Sequence, residues 1–139
     1  MGKISRAIAL VAASAVFLSA AARDTVPLVN YESVAVVTGS GKPASAAAVG
    51  VAISNAAASG KRVWQVTRTA ADRLRATYEV RRHAVSVEIK YDAKAYSIHY
   101  AASDNMKYGE ENGVQLIDPY YNSWVDELKG GISAQLGKL

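Results

Sequence analysis

The side chains best suited to chemistry in this 139-residue chain are few: two histidines, His83 and His99, and no cysteine. Without cysteine, thiol catalysis, thiolate zinc sites and iron–sulfur clusters are excluded. His99 follows Ser97 by two positions and Asp104 lies a little further on, the residue types of a hydrolytic nucleophile, base and acid. On a strand, however, side chains two positions apart stand about 6–7 Å from each other, beyond hydrogen-bond reach. Glu88 or Asp92 would have to join both histidines to complete a metal site, and no spacing demands it, so no metal and no other cofactor is expected. Gly39-Ser40-Gly41-Lys42 lies between a strand-like and a helix-like segment, the setting of a phosphate loop. It has Val36 where such a loop needs its first glycine and Pro43 where it needs serine or threonine, and it reads as a turn. The acidic pairs Glu110-Glu111 and Asp126-Glu127 read as solvated charge. Catalysis is therefore not expected, and the alternative is a small envelope hydrolase using His99 with a nearby carboxylate.

Two other groups of residues are better stocked for binding. Arg73, Arg75 and Arg81 fall at alternate positions and so share one strand face, with Lys90 as a neighbour. Such a face suits anionic lipid headgroups or acidic glycans, or simply keeps a sheet soluble. Tyrosine is the other excess, with eight residues against the single Phe17. Tyr78, Tyr91, Tyr96 and Tyr100 fall on the apolar side of the alternation, and Tyr108, Tyr120 and Tyr121 follow, with Trp64 and Trp124. A tyrosine pairs a large apolar ring with a hydroxyl that needs a partner or water. That combination points to a groove between sheet and last helix, formed by Tyr100, Tyr108, Tyr121 and Trp124.

The elements that must position these residues follow from hydrophobic period. Tyr31 to Thr38 reads as a strand, broken by Gly39-Ser40-Gly41. Ala44 to Ser59 carries Ala48, Val49, Ala52, Ile53 and Ala56 at helical spacing, with Pro43 suited to its first turn and Gly60 as its stop. Val63–Arg68 is rich in strand formers, and Ala70-Ala71-Asp72 reads as a turn. Leu74 to Val80, Val85 to Tyr91 and Tyr96 to Tyr100 then alternate apolar and polar residues, the mark of an antiparallel meander with one wet face. Ala102 to Ile117 reads as a polar loop. Asp118 and Pro119 open a last helix as cap and first-turn residue, with Tyr121, Val125, Leu128, Ile132 and Leu136 as its stripe. Gly130-Gly131 is expected to weaken or bend it. The expected fold is α+β, ordered strand, helix, four-strand meander, helix, as a two-layer sandwich with both helices on one sheet face.

Residues 1–22 read differently from the rest. Lys3 and Arg6 precede an apolar run from Ala7 that exits through Ser19-Ala20-Ala21-Ala22, the pattern of a secretory signal peptide cut after Ala22 or Ala21. The run is short for a membrane span of about 20 residues. Residues 23–139 are then expected to form a single periplasmic domain with no transmembrane segment after cleavage. That domain keeps 14 bases against 12 acids, so the +4 of the whole chain falls to +2. Charge and compartment together argue against nucleic acid as a partner.

Tyr96-Ser97-Ile98-His99-Tyr100, Ser103-Asp104-Asn105-Met106-Lys107-Tyr108 and the run from Ile117-Asp118-Pro119 through Tyr121-Asn122-Ser123-Trp124-Val125 carry a resemblance. From about Val63 to Leu136 the chain resembles small uncharacterised envelope proteins of Gram-negative bacteria that bear a signal peptide. The Tyr-Asn-x-Trp-Val segment is its most specific part. The resemblance implies an envelope location and supplies neither an activity nor a catalytic residue. Some of those proteins carry a lipoprotein signal, whereas no cysteine follows the cleavage site here. The expected function is that of a soluble periplasmic binding or interaction protein, with an envelope protein, a glycan or an anionic lipid headgroup as partner. A structural or assembly factor of the cell envelope, pairing through a sheet edge, is the other alternative.

Overall fold

The computed structural model describes residues 24–139. The signal peptide read from residues 1–22 lies outside them. Among the described residues no helix is long and apolar enough to cross a membrane.

Alternation builds the larger sheet. β1 (Val26–Pro27) and β2 (Tyr31–Ala35) precede helix α1 (Ala46–Ser59). The meander then runs β3 (Gln65–Ala70), β4 (Arg73–Val80), β5 (His83–Tyr91) and β6 (Ala95–Asp104). Five strands pair antiparallel in the order β2-β6-β5-β4-β3. Leu74 and Ala76, then Val85, Val87, Ile89 and Tyr91, then Tyr96 and Ile98 are buried on one face. The period of two leaves Arg73, Arg75, Glu88, Lys90, Ser97 and His99 on the other. The first strand, whose placement the sequence left open, is an antiparallel edge strand beside β6 and ends at Ala35 rather than Thr38. Ser33, at φ 46°, forms a bulge there between Tyr31 and Val34.

Both helices cover the apolar face. α1 starts at Ala46 because Ser45 caps it, its hydroxyl accepting from the Ala48 N–H at 3.1 Å. Pro43 therefore lies upstream of the cap rather than in the first turn. Gly50 faces the sheet directly over the Tyr91 ring, where a Cβ would stand 2.6 Å from the Tyr91 hydroxyl. A glycine that costs helix propensity is thus the condition for a tyrosine under the helix.

Helix α2 (Pro119–Leu136) has Asp118 as its cap, with the carboxylate accepting from the Tyr120 N–H at 2.9 Å. It runs unbroken through Gly130-Gly131. Gly131 lies against α1, where an added Cβ would be 3.7 Å from that of Ala56. Close helix packing outweighs the intrinsic cost of glycine here.

The segment Ala102–Ile117, expected as a loop, is largely strand. β6 continues to Asp104, and β7 (Gly109–Glu111) and β8 (Val114–Ile117) form a hairpin. β1 joins them in a three-stranded sheet ordered β1-β8-β7. The connection is Asn112-Gly113, with φ of 52° and 78°, the left-handed pair that a two-residue hairpin turn favours. Asn122 of α2 locks β1 in place. Its amide donates to the Pro27 carbonyl at 3.0 Å and its oxygen accepts from the Val29 N–H at 3.0 Å.

Candidate functional site

At one end of the large sheet, β4 finishes in Tyr78 and Val80 and turns into β5 through Arg81-Arg82. Arg81 sits at φ 56° in that turn. The N-terminal end of α2 faces this turn, and between them lies a groove of about 450 Å³. Tyr78, Tyr120, Trp124, Met106 and the side chains of Arg62, Arg81, His83 and Asp118 border it.

Its aromatic wall is a relay of rings. Trp64 meets Tyr78 with centroids 5.5 Å apart, and Tyr78 meets Trp124 edge-on at 5.1 Å. Tyr120 stacks on Trp124 at 5.9 Å and 20°. Tyr120 and Trp124 meet because they are four positions apart on one helix face. Trp124 is buried, while Tyr120 is 66% exposed, so the relay runs from the core to water.

Cations border the rings. The Arg62 guanidinium carbon lies 5.9 Å from the Tyr78 ring centre and 5.8 Å from that of Trp124, within cation–π range. Glu127 holds the same guanidinium at 3.5 Å. His83 Nδ1 stands 2.7 Å from the Asn105 carbonyl, so this nitrogen carries the proton and donates.

The residues singled out from sequence are divided by the fold. Trp124 belongs to the groove, but Tyr100, Tyr108 and Tyr121 form a second cluster. Tyr100 stacks on Tyr108 at 4.4 Å and 11°, and Tyr121 meets Tyr100 edge-on at 5.7 Å. The hydroxyls of Tyr100 and Tyr108 are bonded to Ser103 and Gln115, each at 2.8 Å. Tyr121 is fully buried, and its hydroxyl has no hydrogen-bond partner among the described residues. Burial pushes that phenol well above the ordinary tyrosine range.

The three arginines also separate. Arg73 and Arg75 line a depression of about 460 Å³ on the open sheet face, with Glu88, Lys90, Ser97 and His99. Arg81 is at the opposite end of β4, in the groove. Side chains at alternate positions share a face only while the strand lasts, and β4 ends at Val80. His99 Nε2 is held by Glu32 of β2 at 2.6 Å rather than by Ser97. Asp104, the carboxylate nearest in sequence, is paired with Ala84 five residues along β6, about 17 Å away. The turn Gly39–Lys42 satisfies itself: Thr38 donates to the Lys42 carbonyl at 2.7 Å, and Ser40 accepts from the Lys42 N–H at 3.2 Å.

The sequence reading missed Arg62, Tyr78 and Tyr120 as companions of Trp124. The Tyr120–Trp124 helical spacing was a usable signal, whereas the approach of Arg62 depends on tertiary packing alone. No family model, curated protein or solved structure matches the chain.

Proposed function

We propose that this chain is a soluble binding protein of the bacterial envelope whose ligand, an acidic glycan, occupies the groove at the start of α2. The observation that carries this reading is the exposed Tyr120 ring stacked on Trp124 beside Arg81 and Arg62. A sugar ring offers an apolar C–H face to such a platform, and its carboxylate suits a guanidinium. Aromatic walls with a few polar groups are the usual make-up of small-ligand sites. The leader-like residues 1–22 support export, and the missing cysteine supports a form without a lipid anchor.

Titration with a uronic-acid tetrasaccharide and a neutral tetrasaccharide, read by tryptophan emission, tests the proposal. The acidic sugar is expected to give a saturable change, with at least tenfold weaker binding of the neutral one. Tyr120→Ala is expected to abolish the response and Arg81→Ser to weaken it. No saturable response to the acidic sugar, or an unchanged one in Tyr120→Ala, overturns it.

A second reading, hydrolysis on the open face, is favoured by one observation, the 2.6 Å pair of His99 and Glu32. It requires that His99→Gln abolish the turnover of an activated ester, and background-level turnover by the unaltered protein removes it.

A further inference from the structure

The two edges of the large sheet are unlike. At one edge, the bulge at Ser33 interrupts β2 after Tyr31, and Glu32 beside it is tied to His99. Bulges and charges are the usual means of discouraging further strand pairing. At the other, β3 pairs only with β4; its pairing is regular over four residues from Gln65 to Arg68, and its bulge comes only at the end, between Arg68 and Ala70. Gln65 and Thr67 on its open face are uncharged. Its one charge, Arg68, is folded back onto the Ala71 carbonyl at 2.8 Å and the Tyr91 hydroxyl at 3.2 Å.

The layer above this edge is as permissive. α1 has no charged residue in any of its 14 positions. Its Asn55 and Ala58, with Val63 and Val66, line a groove of about 600 Å³ that runs beside β3. On the opposite face Arg75 stands across from Thr67. Glu88, the register partner of Arg75 on β5, is taken by Arg73 at 3.4 Å. Among the described residues Arg75 is in no ion pair.

We infer that β3 accepts an extended segment of another protein as a sixth strand, and that this segment alternates apolar with acidic residues. Main-chain hydrogen bonds to the free edge supply sequence-independent affinity. Apolar side chains at alternate positions enter the groove beside α1. The acidic ones emerge on the open face, two strands or about 10 Å from β4, where a glutamate and Arg75 reach each other over the short Thr67. The inference stands independently of the aromatic groove.

Two fluorescein-labelled octapeptides, one alternating valine with glutamate and one alternating valine with lysine, test it by fluorescence anisotropy with the purified protein. The glutamate peptide is expected to bind at least tenfold more tightly than the lysine peptide. Ala58→Arg, at an exposed position, is expected to weaken that binding at least tenfold by filling the groove. Arg75→Glu is expected to reverse the preference. Circular dichroism checks that each variant keeps its fold. Absence of binding, equal binding of both peptides, or unchanged binding in Ala58→Arg overturns the inference. A dimer seen by size-exclusion chromatography, dissociated by Ala58→Arg and accompanied by no peptide binding, also overturns it, because the edge then joins two copies of this chain.

Discussion

Two aromatic clusters join α2 to the large sheet, and they differ in how openly the outermost ring meets solvent. The inner one runs from the fully buried Tyr121 through Tyr100 to Tyr108, 43% exposed, whose hydroxyl is bonded to Gln115. The outer one, from Trp64 through Tyr78 and Trp124 to Tyr120, ends in a ring open to solvent beside two arginines. Tyr120 and Tyr121 are consecutive, yet a step of about 100° around the helix sends one to water and one to the core. Asn122, the next residue, clamps β1. Residue type alone therefore does not separate packing from presentation. The angle on the helix does: it buries Tyr121 and exposes Tyr120, the ring that the proposed ligand would meet.

The largest effect that would break this division comes from Tyr121→Ala. Removing a fully buried ring should cost about 3–5 kcal/mol of stability in urea denaturation. If the cost is under 1 kcal/mol, on the scale of a surface residue, the inner cluster is not core. Asn122→Ala should cost about 1 kcal/mol, because it removes two hydrogen bonds to β1 whose exposed backbone groups then turn to water. It should do so without altering sugar binding.

Tyr121→Phe sharpens the comparison in the other direction. It deletes a buried hydroxyl that has no partner, so stability should rise by about 1 kcal/mol. The pH dependence carries a sign. Burial raises the Tyr121 pKa in the folded state, so the neutral phenol is favoured there. The stability linked to that phenol is fully present below the unfolded value of about 10 and is lost as pH rises from there toward the folded value. Alkaline unfolding should therefore move to higher pH in Tyr121→Phe, and an unmoved midpoint would show that this phenol does not govern it. The smallest effect on stability, within about 0.5 kcal/mol, is expected for Tyr120→Ala, whose ring is mostly exposed. The same variant should lose the sugar response altogether.

Much of the fold was legible because simple periods dominate it. The meander from Arg73 to Tyr100, the cap at Asp118 and the stripe from Tyr121 to Leu136 follow from periods of two and 3.6 and from cap chemistry. The hairpin at Asn112-Gly113 was written in the sequence as a favoured turn pair, but the polar, glycine-bearing residues around it hid two short strands. Other features lay beyond any local signal. The unbroken passage of α2 through Gly130-Gly131 depends on α1 lying alongside it. The separation of Arg81 from Arg73 and Arg75 depends on where β4 ends, and boundaries are the least determined feature of a periodic pattern. Of the expected aromatic groove only Trp124 lines the observed one. Besides Tyr120, one helical turn away, its neighbours there include Arg62 of the α1–β3 connection, Tyr78 of β4 and Arg81 of the β4–β5 turn, segments distant in sequence.

The most direct test of the central claim uses the two tryptophans, Trp64 and Trp124, whose indole N–H groups give two separate signals in a two-dimensional NMR spectrum. Addition of the uronic-acid tetrasaccharide should move the Trp124 signal and the backbone amides of Arg81 and Tyr120. The amides around Tyr108 and His99 should stay in place. In Tyr120→Ala all of these signals should remain still. Shifts centred on Tyr108 or His99, or no shifts at all in the unaltered protein, would contradict the assignment of ligand binding to the outer cluster.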